Sequence, residues 1–171
     1  MVKVMLKKIF LLWLLVQNSV NAQDSIPEQI TVPAGNRPVL SAHAQGDQIY
    51  QCVLNEGRYS WKLKAPDTDL FDTEGRLIGR HYEGPTWEYK DGSRVVGRVV
   101  DKIDIEPGSA ISWLLVEAIA HKRKGIFADV NFINRINTHG GLPPLEGCDS
   151  NHPGSEKRVA YVADYIFYAP E

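Results

Sequence analysis

Beyond its first two dozen residues the chain alternates apolar and polar positions with a period of two. In residues 159–168, Tyr161, Ala163, Tyr165 and Phe167 fall on one face, and Val162, Asp164, Ile166 and Tyr168 on the other. That is a strand pattern, because successive side chains of extended backbone point to opposite sides. Residues 86–89 and 94–100 read as two more strands joined through Asp91-Gly92, where glycine supplies the positive φ of a tight hairpin turn. A second hairpin turns at Asp72-Thr73-Glu74-Gly75. Earlier strands are expected over 39–44 and 48–54, parted by Gly46-Asp47, and over 59–64, ended by Ala65-Pro66-Asp67.

Two segments read less simply. In residues 109–123, Ile111, Leu114, Leu115, Ala118 and Ile119 fit helical spacing, with Ser109 as a cap and Gly125 as a stop. Residues 113–116 are equally a continuous apolar run, followed by 127–136 with Val130, Phe132 and Ile136 alternating, and a hairpin turning at 122–125 accommodates both runs. The second is 137–157, rich in glycine and proline, a loop long enough to suggest function or disorder. The expected fold is mainly β, a single-domain antiparallel β-sandwich or barrel. An α+β arrangement with one helix around 109–123 is the alternative.

Residues 1–22 break the alternation. Lys3, Lys7 and Lys8 precede an apolar run over 9–16, and Val20-Asn21-Ala22 offers small residues for cleavage, so a signal peptide is expected, with 23–171 as one exported domain. Eight apolar residues are too few to cross a bilayer, so no membrane insertion is expected and the mature chain is read as periplasmic or secreted. Loss of the three lysines takes the formal charge from −2 to −5, a poor match to nucleic acid. In an oxidising compartment the two cysteines, Cys52 and Cys148, are most simply one disulfide.

Candidate chemistry gathers around Gly79 to Gly97. Period-two alternation puts His81 and Glu83 on one face, Tyr82 on the other, and Trp87 with Tyr89 on one side of the next strand. Trp61, Tyr82, Trp87 and Tyr89 are rings with a polar edge, suited to a small molecule or glycan, although strand aromatics are usually packing residues. His81 as base, oriented by Glu83 or Asp164, with Arg135 facing negative charge, makes a general acid/base set. Asp164, on an otherwise apolar face, needs a partner if buried, and His81 or Arg135 are the candidates. Asp67-x-Asp69 lacks the remaining oxygen ligands of a calcium loop. There is no nucleophile elbow, zinc-protease helix or nucleotide loop, so neither a metal nor a cofactor is expected.

Several blocks carry a resemblance: Tyr50-x-Cys52, Trp61 with Ala65-Pro66, His81-Tyr82-x-Gly84-Pro85-x-Trp87, Asp91-Gly92-Ser93, Trp113-Leu114-Leu115, Arg135-x-Asn137-Thr138-x-Gly140-Gly141, Cys148-Asp149 and Ala163-Asp164-Tyr165-x-Phe167-Tyr168. Together they resemble a family of exported bacterial and fungal proteins known only as a domain of unknown function (number 3455), over about 32–168. The resemblance implies one predominantly β domain after a signal peptide, and no catalytic residues. Three functions follow as expectations: a small-molecule or carbohydrate binding module, a hydrolase or lyase centred on His81, or a structural protein at the cell surface. The oligomeric state is left open.

Overall fold

Eight strands make up the computed structural model, which describes residues 26–171. The expected signal peptide lies outside the described residues. The strands are β1 (Asn36–Asn55), β2 (Arg58–Phe71), β3 (Leu77–Tyr82), β4 (Thr86–Tyr89), β5 (Arg94–Ile103), β6 (Trp113–Lys122), β7 (Phe132–Gly140) and β8 (Glu156–Pro170). Each pairs antiparallel with its neighbour in sequence, and β8 pairs back onto β1, closing a barrel. The connections β1–β2, β3–β4, β5–β6 and β7–β8 lie at one end, here the upper, and the others at the lower end. No helix of the described residues is long and apolar enough to cross a membrane.

The helical alternative for 109–123 is corrected: from Trp113 onward the backbone is strand β6. Both faces of its first half are apolar. Val116 faces the barrel interior, while Trp113 and Leu115 face outward against Ile30, Ile103 and Ile136. The chain before β1 lies across that outer face and is tied down by Asn134, whose side-chain amide donates to Ile30 O at 2.9 Å and to Leu114 O at 3.2 Å. A strand buried on both sides loses its alternation, which is why it imitates a helix.

The two early strands expected around Gly46 are one strand of twenty residues. Gly46 makes no turn there; it permits a close crossing, since a Cβ would sit 2.3 Å from Asp67 O. Pro66 does not end β2 either. β3 pairs with β2 only from Thr68 to Phe71, so Pro66 sits where β2 has no second neighbour to bond. The segment expected as a strand from 127 is a loop as far as 131. It turns Phe127 and Val130 into the lower end of the barrel, with Phe127 4.5 Å from Phe167 between ring centroids. The long loop also shortens, because β7 continues to Gly140 and β8 begins at Glu156.

An eight-stranded barrel has an interior that side chains fill or that admits one small ligand. Here the lower half is filled. Leu70, Trp87, Val95, Val116, Ile133, Tyr165 and Phe167 pack into one core. Gly97 provides room, since its Cβ would lie 2.3 Å from Val116 Cγ1 and 3.0 Å from Trp87 Cζ3.

Candidate functional site

The upper half of the interior is polar. Thr68 Oγ1 donates to Tyr161 Oη at 2.9 Å, and the Tyr161 and Tyr165 hydroxyls lie 3.4 Å apart. Arg135 stands opposite Tyr165 in the β7–β8 ladder and therefore also faces inward. Its guanidinium reaches the upper rim, where Nε and Nη2 donate to Ser112 O at 3.1 and 2.8 Å. Tyr50 Oη closes the rim with a bond to Gly141 O at 2.7 Å. Burial pushes the Tyr165 phenol well above its ordinary pKa and raises that of Tyr50, with the Arg135 charge opposing both shifts.

His81 lies inside this polar layer and is fully buried. It faces Trp87 across the β3–β4 pair, and the rings stack at 4.2 Å between centroids with 7° between planes. Its Nδ1–H donates to Thr86 O at 3.0 Å, because a carbonyl can only accept. Burial lowers its pKa to about 3, the Arg135 charge adds to the lowering, and the Thr86 bond opposes it. At neutral pH it is an uncharged imidazole packed between aromatics.

The expected acid/base set does not assemble around it. Glu83 is exposed in the β3–β4 turn, with no bond to His81. Asp164 points out of the barrel, and the expectation that His81 or Arg135 pairs with it is corrected. His43 Nδ1 lies 2.9 Å from Asp164 Oδ1, and Asn137 Nδ2 donates to Oδ2 at 2.9 Å. Opposite residues of an antiparallel pair share a face, so His43 follows Asp164 outward. Asn137 reaches Asp164 because its backbone is left-handed, with φ 51°, at a bulge between Ile136 and His139.

Nor do the expected ligand-binding aromatics share a surface. Trp87 is buried against His81 and Tyr165. Tyr82 lies on the outside and donates to Glu88 Oε2 at 2.9 Å, where Arg94 also binds. Tyr89 packs edge-on against Phe127 at the lower end. Trp61 Nε1 donates to Glu146 O at 3.0 Å, bracing the 141–155 loop beside the Cys52–Cys148 disulfide. Asp67 and Asp69, of the Asp-x-Asp motif, are paired with Arg80, and Asp67 also with Arg158.

Arg135, which faces the barrel interior, has no counter-charge beside it. Among the described residues no carboxylate lies within 4.0 Å of Arg135. It lines a cavity of about 270 Å³ at the upper mouth, between the β5–β6 loop and Leu142, with Ala110, Ile111 and Asp104 also in its wall. A larger cavity of about 490 Å³ lies on the outer side of the same loop, against Pro27, Trp113 and His139, and none of its lining residues is an arginine or lysine. Sequence reading put Arg135 on the site but missed Asp104 and Ser112, which belong to an unremarkable loop. No group of three or more metal-ligating side chains is gathered among the described residues. A family model described as "Protein of unknown function (DUF3455)" matches residues 33–169. No curated protein and no solved structure matches the chain.

Proposed function

The chain belongs to this family of proteins of unknown function, and from the geometry above we propose that it is a small-molecule binding module acting outside the cytoplasm, with its ligand at the upper mouth of the barrel. The observation that carries the reading is Arg135: a cation facing the barrel interior, open to a cavity, whose guanidinium hydrogen bonds among the described residues go to Ser112 O. Arg135 is half-buried, so its charge is partly screened by the water of the cavity, and an anionic group of a ligand can take that water's place. The filled lower half is a rigid floor for such a site. Export is supported by the disulfide, which favours an oxidising compartment.

The aromatic platform of a glycan site is not supported, because Trp61, Tyr82, Trp87 and Tyr89 lie in four separate environments. The test is a titration of the ¹⁵N-labelled chain with a library of small polar fragments. Shifts converging on Ile111, Ser112, Arg135 and Leu142 are expected. Binding confined to the outer face, or none at millimolar concentration, would overturn the proposal.

A second reading rests on the outward trio. With Nδ1–H donated to Asp164, His43 Nε2 is left as a base, facing a cavity of about 310 Å³ whose wall includes Ser41 and Thr73. General-base hydrolysis of activated esters is the activity to look for. It should fall at least about a hundredfold in His43→Gln, and an unchanged rate would dismiss it.

A further inference from the structure

The mouth cavity holds two opposite charges that do not meet. Arg135 and Asp104 both line it, yet more than 4.0 Å separates the guanidinium from the carboxylate. One residue keeps each in place. The main-chain carbonyl of Ser112 accepts the two bonds from Arg135, and the Ser112 hydroxyl donates to Asp104 Oδ1. Asp104 is exposed and Arg135 half-buried, so water screens their attraction, and the bonds to Ser112 suffice to hold them apart. Held apart, they present a cation and an anion side by side, and Asp104 Oδ2 has no hydrogen-bond partner among the described residues.

We propose that the cavity takes a small zwitterion of the α-amino acid class, with Arg135 holding its carboxylate and Asp104 its ammonium group. The proposal rests on the reading of the upper mouth as a ligand site. The two charged groups of an α-amino acid sit on one carbon, about 3 Å apart. Adding a charge-assisted hydrogen bond of about 2.8 Å at each end, it spans protein groups up to roughly 8 Å apart. That suits two side chains fixed to the carbonyl and the hydroxyl of one serine. A simple anion would leave Asp104 facing it; a simple cation would leave Arg135 without compensation. Pro107, Ala110, Ile111 and Leu142 give the wall its apolar part, so the side chain it accepts is aliphatic. At about 270 Å³ the cavity lies at the lower limit of small-molecule sites, about 300 Å³, which keeps that side chain short.

The test is calorimetry of the purified chain with four probes of similar shape: leucine, isovalerate, isoamylamine and isoamyl alcohol. Leucine should bind at least about tenfold more tightly than any single-charge probe, the loss expected for one charge-assisted contact. In Asp104→Asn, on an exposed loop whose change leaves the barrel intact, the preference for leucine over isovalerate should vanish. In Arg135→Gln the preference for leucine over isoamylamine should vanish, with the far-ultraviolet spectrum confirming the fold. Isovalerate binding as well as leucine to the native chain would overturn the zwitterion while leaving a mouth site for anions. Equal binding of all four would overturn both charge roles. No binding by any probe, joined with no fragment shifts at the mouth, would remove the site itself.

Discussion

Acidification isolates the burial of His81. In the unfolded chain this imidazole titrates near pH 6.5, whereas in the barrel its pKa is lowered to about 3. Above pH 6.5 neither state binds the proton, so the residue contributes nothing to pH dependence. Between 6.5 and 3 the unfolded chain takes up a proton that the folded chain refuses, and stability falls as pH falls; below 3 both states are protonated and the loss is complete. At pH 4 the linkage amounts to about 2.5 decades at about 1.36 kcal/mol each, roughly 3 kcal/mol. That is a large part of the usual stability of a domain, about 5–15 kcal/mol. Carboxylates add a slope of the same sign: a bond from Arg158 lowers the Asp67 pKa and one from Tyr82 lowers that of Glu88. The quantity to measure is therefore the difference between the native chain and His81→Phe, which keeps a flat ring against Trp87 and cannot titrate. Urea unfolding followed by tryptophan fluorescence, at intervals from about pH 7 to pH 4, gives that difference directly. It should shift by about 3 kcal/mol against the native chain across the range. A difference that stays constant within about 0.5 kcal/mol would refute a dry, neutral His81.

Three further outcomes are expected. Gly97→Ala places a methyl group 2.3 Å from Val116 Cγ1 and should cost about 1–3 kcal/mol in urea unfolding at unchanged m-value; a neutral result would mean that the interior beside Trp87 is loosely packed. Removing the disulfide as Cys52→Ala/Cys148→Ala opens a link across 96 residues and should cost about 4–5 kcal/mol in the chain-entropy model. An equal stability of the oxidised chain and the double variant would contradict it. Asn134→Ala removes the bonds to Ile30 O and Leu114 O and should cost about 1–3 kcal/mol. Limited proteolysis should then cut within residues 26–35 first, and cleavage spread evenly over the barrel would argue against a local tether.

Much of the fold was legible in the residues. Asp91-Gly92 and Gly75 mark hairpins because only a backbone at positive φ closes so short a turn, and both glycines have it, at 83° and 75°. The period of two in β8 assigned Tyr161, Ala163, Tyr165 and Phe167 to one face, and all four line the core. The Cys52–Cys148 pairing was expected from the presence of just two cysteines and an expected export signal, and the two sulfurs are joined. Where local pattern failed, an element from elsewhere in the chain had changed the environment. Residues 113–116 read ambiguously because the segment around Ile30 buries their outer face. Gly46 and Pro66 read as breaks because nothing local says that one faces a close strand crossing and the other an unpaired strand border.

The candidate site divides the same way. Residue types marked His81, Arg135 and Asp164 as groups to be accounted for, since a charged or titratable group among apolar strand positions needs a partner. Which partner is a question of register and closure, and these are long-range. Pairing β8 with β1 turned Asp164 outward to His43, and pairing β3 with β4 stacked His81 against Trp87 inside the barrel. Pairing β6 with β7 set Arg135 opposite Leu114 and so beside Ser112, and the β5–β6 loop that ends at Ser112 brought Asp104 into the same cavity. The chain's alternation determined a β fold with two unlike faces; the ring of eight strands decided which face became the interior, and so which of its charges remain without a partner.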